Sequence, residues 1–373
     1  MRKIFVVMLA AAFVAACALP AMAADTEVSF YGNVRMNTFW NDKDKNTANR
    51  LSAPVTGAPN ALYDDNDVDW SLDNSGSRFG VRFKTGDIGG NVEIRANNGS
   101  YYRQWYGTWN FGAGTLLIGH TWSLLFKPID GANYLAGCDY GDMPGRAFRV
   151  PQIRLTFPFE VGTFSIAFNQ PSTSHSTGFG DTDTSVPNIE MNFGGKIGPV
   201  SFNVFGGYNW LDAVNTANDR EYSLNSYAYG ANFSIPFGPA YFKGLYYHCK
   251  NPTEYGLGIT SSFDANYNAA TDSIEDVDVD GYFAVLGFKF NDMVSAEIGY
   301  GYLSQEREDF SNPGDDEDDR ACYYLMVPIT VAKGVTITPE IGKYDEKDHK
   351  LAGATAVDDG DVVYYGAYWR IDF

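Results

Sequence analysis

The segment Val362-Val363-Tyr364-Tyr365-Gly366-Ala367-Tyr368-Trp369-Arg370-Ile371-Asp372-Phe373 decides the fold class of this 373-residue chain. Its side chains alternate between two sets, and a period of two places those sets on opposite faces of a β-strand. One face carries Arg370 and Asp372. The other face is apolar and consists of Val363, Tyr365, Ala367, Trp369, Ile371 and Phe373. Such a strand belongs either to a soluble β-sandwich, which buries the apolar face, or to a membrane barrel, which turns it to lipid.

The same alternation recurs along the chain, and the connections between the alternating segments follow a regular order. In one segment Val92 and Ile94 interleave with Glu93 and Arg95. Short connections such as 196–199 alternate with long ones rich in Asp, Asn, Ser and Thr. Short turns at one end and long loops at the other are typical of outer-membrane barrels, which have an even number of strands. The pattern predicts an all-β, antiparallel up-and-down barrel of about sixteen strands.

Aromatic residues favour the membrane barrel over the soluble sandwich. They make up 16% of the chain, with 25 Tyr and 26 Phe, and they gather at predicted strand ends such as Phe39-Trp40 and Tyr246-Tyr247. Aromatic girdles mark both membrane interfaces of such barrels. Ordinary enrichment of aromatic residues in strands is the alternative explanation. After the N-terminal segment no apolar stretch is long enough to span a bilayer as a helix.

The N-terminal segment predicts export. Arg2 and Lys3 precede an apolar run, and a small-x-small site at Ala21-Met22-Ala23 predicts cleavage after Ala23. The sequence therefore predicts a signal peptide over residues 1–23 and one barrel domain over residues 24–373. A transmembrane helix and lipid attachment at Cys17 are the alternatives.

Charge and cysteine content restrict the partners further. The formal charge is −19, and it becomes −21 without the signal peptide, because Arg2 and Lys3 are lost. An acidic chain is a poor ligand for nucleic acid. The same charge hints at cation preference. Many of the acidic residues lie in outer loops, however, where dissolved salt screens their charges. Three cysteines remain, Cys138, Cys249 and Cys322, so at most one internal disulfide can form.

The region from Gly76 to Phe159 resembles the general trimeric porins of Gram-negative bacteria. Residues 77–83 resemble the second-strand motif of these porins, residues 87–93 the following turn and third strand, and residues 111–120 the segment that leads into the third loop. The resemblance implies an outer-membrane homotrimer, in contact with lipid and lipopolysaccharide, that passes ions and small hydrophilic solutes. It also implies that the third loop, Ser123 to Phe148, folds into the lumen and narrows it.

Charged residues near this loop are the candidate pore constriction. Acidic residues on the third loop, opposite a basic wall, would create a transverse field that sets ion preference and orients polar solutes. Charges that only stabilise the lumen are the alternative. The acidic candidates are Asp130, Asp139 and Asp142, and the basic candidates are Arg78, Arg82, Arg95 and Arg154. Secondary lumen candidates are Glu93, His120, Arg146 and Arg149; the resembling family usually has Arg at the position of His120.

Other residue patterns predict neither catalysis nor a cofactor. The run Asp276-x-Asp278-x-Asp280-Gly281 begins like a calcium loop but has Gly287 where the final Glu should stand, so we interpret it as a solvated loop. We interpret the acidic run 315–319 as a surface loop, with bridging to lipopolysaccharide through divalent cations as the alternative. No nucleophile with a base is visible. The predicted function is a passive channel, with a substrate-preferring channel, a barrel enzyme and a soluble carbohydrate-binding sandwich as alternatives.

Overall fold

The computed structural model describes residues 26–44, 65–73, 76–96, 102–125, 129, 131, 134, 149–171, 181–184, 186–215, 220–253, 265–309 and 314–373. These residues form β-strands joined by turns and loops. In this part of the chain no helix is long and apolar enough to cross a membrane.

The described residues contain twenty-three strand segments. They are β1 (Thr26–Lys43), β2 (Asp65–Leu72), β3 (Arg78–Thr85), β4 (Ile88–Arg95), β5 (Tyr102–Asn110), β6 (Thr115–Trp122), β7 (Arg149–Phe159), β8 (Gly162–Asn169), β9 (Asp181–Asp183), β10 (Asn188–Ile197), β11 (Val200–Asn209), β12 (Asp212–Asn215), β13 (Arg220–Ser223), β14 (Ser226–Phe237), β15 (Ala240–Lys250), β16 (Asn266–Asn268), β17 (Ser273–Glu275), β18 (Val277–Lys289), β19 (Ser295–Arg307), β20 (Asp316–Met326), β21 (Ile329–Ala332), β22 (Val335–Lys350) and β23 (Asp361–Asp372).

Most of these segments form one closed, antiparallel barrel. Each barrel strand pairs with its neighbours in chain order, and β23 pairs with β1, as in the contact of Arg370 with Arg35. Strand β1 pairs with both β2 and β3, which therefore act as one interrupted strand, and β22 pairs in the same way with β20 and β21. The barrel thus has sixteen strands. This confirms the predicted fold class and strand number.

The barrel is inverted relative to a soluble protein, because its apolar side chains face outward. Phe79 is 43% exposed and Ile118 is 57% exposed, whereas Glu93 and Glu190 are each only 2% exposed. Along β10 the buried Glu190 and Asn192 alternate with the outward Met191. The predicted orientation of the two strand faces is therefore correct. Polar side chains line the lumen, and a lipid-facing band covers the outside.

Aromatic side chains form a ring at each end of this band. At the end with short turns the pairs are mostly Phe, as with Phe193 and Phe202, whose ring centroids lie 5.9 Å apart. At the end with long loops Tyr and Trp dominate, as with Trp40 and Tyr365 at 5.8 Å. Amphipathic rings suit the headgroup level of a bilayer. The two rings have the arrangement expected of interfacial girdles.

The two ends of the barrel also differ in backbone structure. Tight turns close the short end, and Gly86 and Gly198 take positive φ angles of 55° and 58° there, a conformation that favours glycine. Beyond the barrel, β9, β12 and β13 form a small sheet and β16 and β17 a hairpin. The two are linked by Tyr222 and Tyr267, whose rings lie 4.9 Å apart. The loop end is therefore partly built from structured extensions.

Two loop interpretations made from the sequence were wrong. Asp278 and Asp280 lie within β18, where His248 on β15 stands 3.5 Å and 3.3 Å from their carboxylates. The acidic run 315–319 also enters a strand, because β20 begins at Asp316. Barrel strands at this end extend beyond the apolar band, and polar composition alone cannot distinguish such strand ends from loops.

Candidate functional site

One side of the lumen is strongly basic. We call the lumen-facing side of β1, β3, β4, β5, β7 and β23 the basic wall. Cross-strand pairs place its cations on one face, since Arg78 pairs with Arg95, and Arg35 with Arg370. The arginines of the basic wall are Arg35, Arg78, Arg82, Arg95, Arg103, Arg154 and Arg370. All four basic residues predicted for the constriction therefore lie on the lumen face.

Glu93 is the buried counter-ion of the basic wall. Its side chain is 3% exposed, and its Oε1 atom lies 2.7 Å from Nε of Arg103. Its Oε2 atom lies 3.8 Å from Nη1 of Arg78 and accepts a 3.1 Å hydrogen bond from the Tyr31 hydroxyl. The carboxylate thus neutralises part of the positive charge. Its predicted lumen position agrees with the structure.

Arg82 and Arg154 are held in different ways. The Cζ atom of Arg82 lies 4.2 Å from the centroid of the Tyr31 ring, and the side chain is exposed to the lumen. Arg154 donates from Nε to the side-chain Oε1 atom of Gln152 at 2.8 Å, and from Nη2 to the carbonyl oxygen of Trp122. Neither guanidinium forms an ion pair with a described residue. Arg82 is open to the lumen, whereas Arg154 is half-buried and interacts electrostatically with Glu190 on β10, two strands away.

His120 and Arg149, two of the secondary lumen candidates, lie on the outer face instead. His120 pairs with Trp105, which is 55% exposed on the outside, and its ring lies 5.0 Å from that of Tyr102. Arg149 lies over the Trp122 ring, with Cζ 3.5 Å from its centroid. The three apolar residues before Gly119 left the facing of His120 undetermined in the sequence. The backbone of Gly119, with φ at 139°, is irregular at the same point.

The opposite side of the lumen binds the third loop. We call the lumen-facing side of β10, β15, β19, β20 and β22 the loop-binding wall. At the start of the loop, Glu190 accepts hydrogen bonds from the Ser123 hydroxyl, at 2.8 Å to Oε2, and from the Leu124 backbone N–H at 2.7 Å. A carboxylate buried this deeply requires such donors. Glu190 therefore fixes the point where the loop leaves β6.

Glu297 on β19 holds the next described part of the loop. Its Oε1 atom accepts hydrogen bonds from the Gly131 backbone N–H and from the Tyr324 hydroxyl, both at 2.6 Å. Its Oε2 atom accepts a 2.5 Å hydrogen bond from the Tyr241 hydroxyl and lies 3.5 Å from Nζ of Lys243. The side chain is 3% exposed. Every oxygen of this buried carboxylate is therefore satisfied, and one donor is loop backbone.

Tyr134 carries the loop across to β1. Its ring stacks on Phe39 with centroids 3.8 Å apart, and its hydroxyl accepts a 2.8 Å hydrogen bond from Nδ2 of Asn41. Its backbone N–H donates to Oε1 of Glu340 on β22 at 3.2 Å, and the Tyr364 hydroxyl donates to the same oxygen at 3.0 Å. These partners belong to lumen-facing positions of three strands. The described part of the third loop therefore lies inside the barrel.

Apolar contacts also hold the third loop against the barrel wall. Leu125 and Ile129 are buried in a cluster with Val279, Phe283 and Val285, which form the inner face of β18. Nζ of Lys243 also donates to the carbonyl oxygen of Ile129 at 2.7 Å. An apolar inner face is unfavourable in a water-filled lumen unless something covers it. The third loop removes part of this surface from water.

Several predicted site residues lie outside the described residues. They are the acidic candidates Asp130, Asp139 and Asp142 and the secondary candidate Arg146. The sequence prediction in turn missed Arg35, Arg103 and Arg370 on the basic wall. Arg35 and Arg370 share parity with polar neighbours and could have been found. Arg103 could not, because the register of β4 with β5 shifts beside Glu93.

The cysteines divide into one bonded and one free residue among those described. Cys322 is disulfide-bonded, and its partner lies outside the described residues. Cys249 is free and buried in the apolar cluster behind the third loop. In the described part of the chain, no group of three His, Cys, Asp or Glu residues is placed to hold a metal ion.

Comparisons with known proteins identify the family. A family model described as Gram-negative porin matches residues 10–349. No curated protein matches the chain in sequence.

Solved structures share the fold. The outer-membrane channel DcaP of Acinetobacter baumannii has a TM-score of 0.67 at 17% identity, covering 94% of this chain and 98% of that chain. The anion-selective porin from Comamonas acidovorans has a TM-score of 0.62 at 13% identity, covering 94% and 100%. The trimer form of OmpT from Vibrio cholerae has a TM-score of 0.58 at 16% identity, covering 94% and 100%.

The inverted barrel, the polar lumen and the family match agree with one another. The protein lies in the bacterial outer membrane and is a channel for passive diffusion of solutes, not an enzyme. The resemblance noted in the sequence and the predicted function are thereby confirmed. The chain belongs to the Gram-negative porin family.

Proposed function

We propose that this porin passes small hydrophilic solutes and ions through a constriction between the basic wall and the third loop. The observation that carries the proposal is the seating of the loop: Gly131 and Tyr134 bind Glu297 and Glu340 on the opposite wall. A loop held there occupies lumen cross-section. The remaining passage then runs beside the basic wall.

Charge on the two sides of this passage would create a transverse field. Arg78, Arg82, Arg95 and Arg154 supply the positive side, and Arg35, Arg103 and Arg370 extend it. Asp130, Asp139 and Asp142 on the third loop are the proposed negative side. Opposed charges at a narrow point sort ions and orient dipolar solutes.

We further propose that the channel prefers anions, although the whole chain is acidic. Arg82 forms no ion pair with a described carboxylate, Arg154 interacts electrostatically with the buried Glu190 without a contact as short as an ion pair, and Glu93 neutralises only part of the wall. The net charge of −19 is a poor guide, because screening over about 8–10 Å hides charges far from the passage. One structural neighbour is itself described as anion-selective. A substrate-preferring channel is the alternative, and it predicts saturable flux.

The assembly and processing predicted from the sequence remain part of the proposal. The mature protein spans residues 24–373 after removal of residues 1–23. It forms a homotrimer in contact with outer-membrane lipid and lipopolysaccharide. The trimer form of a structural neighbour supports the first point, and the outward apolar band with its two aromatic girdles supports the second.

Planar-bilayer recording tests these statements together. The purified protein should insert into the bilayer with stepwise increases in conductance, and a trimer should add three conductance steps at each insertion. In a KCl gradient, the reversal potential should have the sign that indicates chloride preference. The double variant Arg82→Ala/Arg154→Ala should shift that potential toward potassium.

Arg220→Ala is the matched control, because Arg220 lies on β13 outside the barrel and its removal should leave the potential unchanged. Silent bilayers contradict the channel. A double variant with the parent's reversal potential contradicts the role of the basic wall and leaves its charges as stabilisers of the lumen.

A further inference from the structure

Arg82 and Tyr106 lie in one row across the lumen face, and Arg154 lies two residues further along its strand, on the same face. Arg82 pairs with Asn91, Asn91 pairs with Tyr106, and Tyr106 pairs with Gly119 on β6. Gly119 in turn pairs with Gln152, two residues before Arg154 on β7. Neighbouring strands are about 4.8 Å apart, so the backbones of β3 and β7, each two strands from β5, lie about 10 Å from Tyr106. Long arginine side chains can reach across that distance.

The strand register places Arg82 and Arg154 on strands to either side of Tyr106. The Tyr106 hydroxyl interacts electrostatically with Arg82 and Arg154, and also with the Glu93 carboxylate. Arg78 and Arg103, by contrast, share the buried carboxylate of Glu93. Arg82 and Arg154 form no such ion pair with a described residue, although Glu190 acts electrostatically on Arg154, and both keep N–H groups that can donate to a solute.

The guanidinium groups are oriented, which favours recognition over simple attraction. Arg82 has its Cζ atom over the Tyr31 ring, and the Tyr31 hydroxyl donates a 2.9 Å hydrogen bond to Oδ1 of Asn91. Arg154 is held by Gln152 through its Nε atom. A planar guanidinium with free N–H groups matches the geometry of a carboxylate. Orientation before binding reduces the entropy cost of binding.

Tyr106 adds a neutral donor between these cations. Its side chain is half-buried, and its hydroxyl forms no hydrogen bond with another described residue. Its neighbours on the lumen face have other donors, since Oδ1 of Asn91 accepts from Tyr31 and Oε1 of Gln104 accepts from Thr121. The hydroxyl is free to donate to a ligand oxygen.

The surface next to Arg154 is apolar. Leu117 pairs with Arg154 and therefore shares its lumen face, between the outward Leu116 and Ile118. Together with the Tyr106 ring it offers a small area on which a carbon skeleton can rest. A bare inorganic anion gains nothing from such a surface, whereas an organic anion does.

We propose that Arg82, Tyr106 and Arg154 form a binding subsite for the carboxylate of a small organic anion, with Leu117 and the Tyr106 ring contacting its carbon body. The inference rests on the proposed channel function. Small organic anions are then the class of solute that binds longest inside the channel. Arg82 and Arg154 supply charge and forked donors, and Tyr106 supplies the neutral donor that distinguishes a carboxylate oxygen from a spherical ion.

The test measures how benzoate reduces the KCl current of the full-length protein in a planar bilayer, with inorganic phosphate and benzyl alcohol as comparison probes. Benzoate should reduce the current at lower concentration than phosphate, and benzyl alcohol should not reduce it. Two variants keep the charge of the wall. Tyr106→Phe should raise the benzoate concentration for half-reduction about tenfold, and Arg82→Lys should raise it because the fork is lost.

Tyr229→Phe is the matched control, because Tyr229 is 50% exposed on the outside of the barrel. It should behave as the parent protein in all three probes. Equal effects of phosphate and benzoate overturn the assignment to organic carboxylates. A Tyr106→Phe response equal to that of Tyr229→Phe overturns the subsite while the chloride preference stands. Loss of all current in the parent protein overturns the channel and the subsite together.

Discussion

On the basic wall Arg82 reaches into the lumen with an aromatic ring beneath it, whereas on the loop-binding wall Glu297 is enclosed by four donors and is 3% exposed. Both residues are charged, and both face the inside of the same barrel. Arg82 remains hydrated, so its field acts on passing solutes. Glu297 is removed from water, and its carboxylate is hydrogen-bonded to the Gly131 N–H and to its other partners rather than exposed to solutes.

The difference shows that parity alone does not separate a selectivity residue from a structural one. Burying a charge costs desolvation free energy, which hydrogen bonds and opposite charges must offset. Removing one partner leaves the desolvation penalty without that offset. An exposed charge in a wide, water-filled lumen carries no such cost. Substitutions should therefore affect stability on the loop-binding wall and ion preference on the basic wall.

The largest effect is expected for Glu297→Ala. The change leaves Gly131, Tyr324 and Lys243 without their shared acceptor, and breaking such a buried network costs about 3–5 kcal/mol. The folded barrel should lose its compact migration on SDS gels at lower temperature, and the open channel should become noisier as the loop leaves its seat. Glu160→Ala, in an exposed tight turn, is the control. If the current noise of Glu297→Ala equals that of the parent protein, Glu297 does not hold the third loop in place.

The next effect is expected at Cys322, which we predict to be joined to the third loop. Cys322 is bonded and Cys249 is free, which leaves Cys17 and Cys138 in the sequence. Cys17 lies in the predicted signal peptide, so we expect Cys138 to be the partner. Peptide mapping without reductant should recover a fragment containing both, and Cys322→Ser should lower stability by about 2–4 kcal/mol. A thiol at Cys322 that reacts with maleimide in unreduced, denatured protein contradicts the pairing.

A smaller effect is expected where the third loop meets β1. Phe39→Leu keeps an apolar side chain but removes the ring that stacks on Tyr134 at 3.8 Å. Aromatic pairs contribute about 0.5–1.5 kcal/mol beyond their buried area. Brief changes in current level should become more frequent, without a change in reversal potential. Trp40→Leu, on the outer face of the same strand, should not increase them.

The smallest effect is expected for Glu93→Gln, and it concerns selectivity. The substitution removes the negative charge shared by Arg78 and Arg103 but keeps the shape of the side chain. One unit charge at 4 Å contributes about 1 kcal/mol in water, and salt reduces this further. Chloride preference should rise by less than about fivefold. A shift toward potassium would contradict the assignment of Glu93 as the counter-ion of the basic wall.

The sequence by itself determined the barrel, the outward apolar face and the lumen position of Arg78, Arg82, Arg95 and Arg154. Each follows from a period of two within a single strand, and lipid selects the apolar face for the outside. The same reasoning failed for His120, where three consecutive apolar residues and the irregular backbone at Gly119 break the alternation. It failed for Arg103 because a register shift beside Glu93 changes which residues are neighbours.

Only the tertiary structure decided how the two walls use their charges. Glu297 was recognisable as a polar-face residue, but its partner Gly131 is 166 positions away in the sequence. Nothing local to either residue encodes that contact, since it depends on barrel closure and on the path of the third loop. Local periodicity fixes which way a side chain points, whereas its partner, its burial and therefore its role depend on chain segments brought together only when the barrel closes.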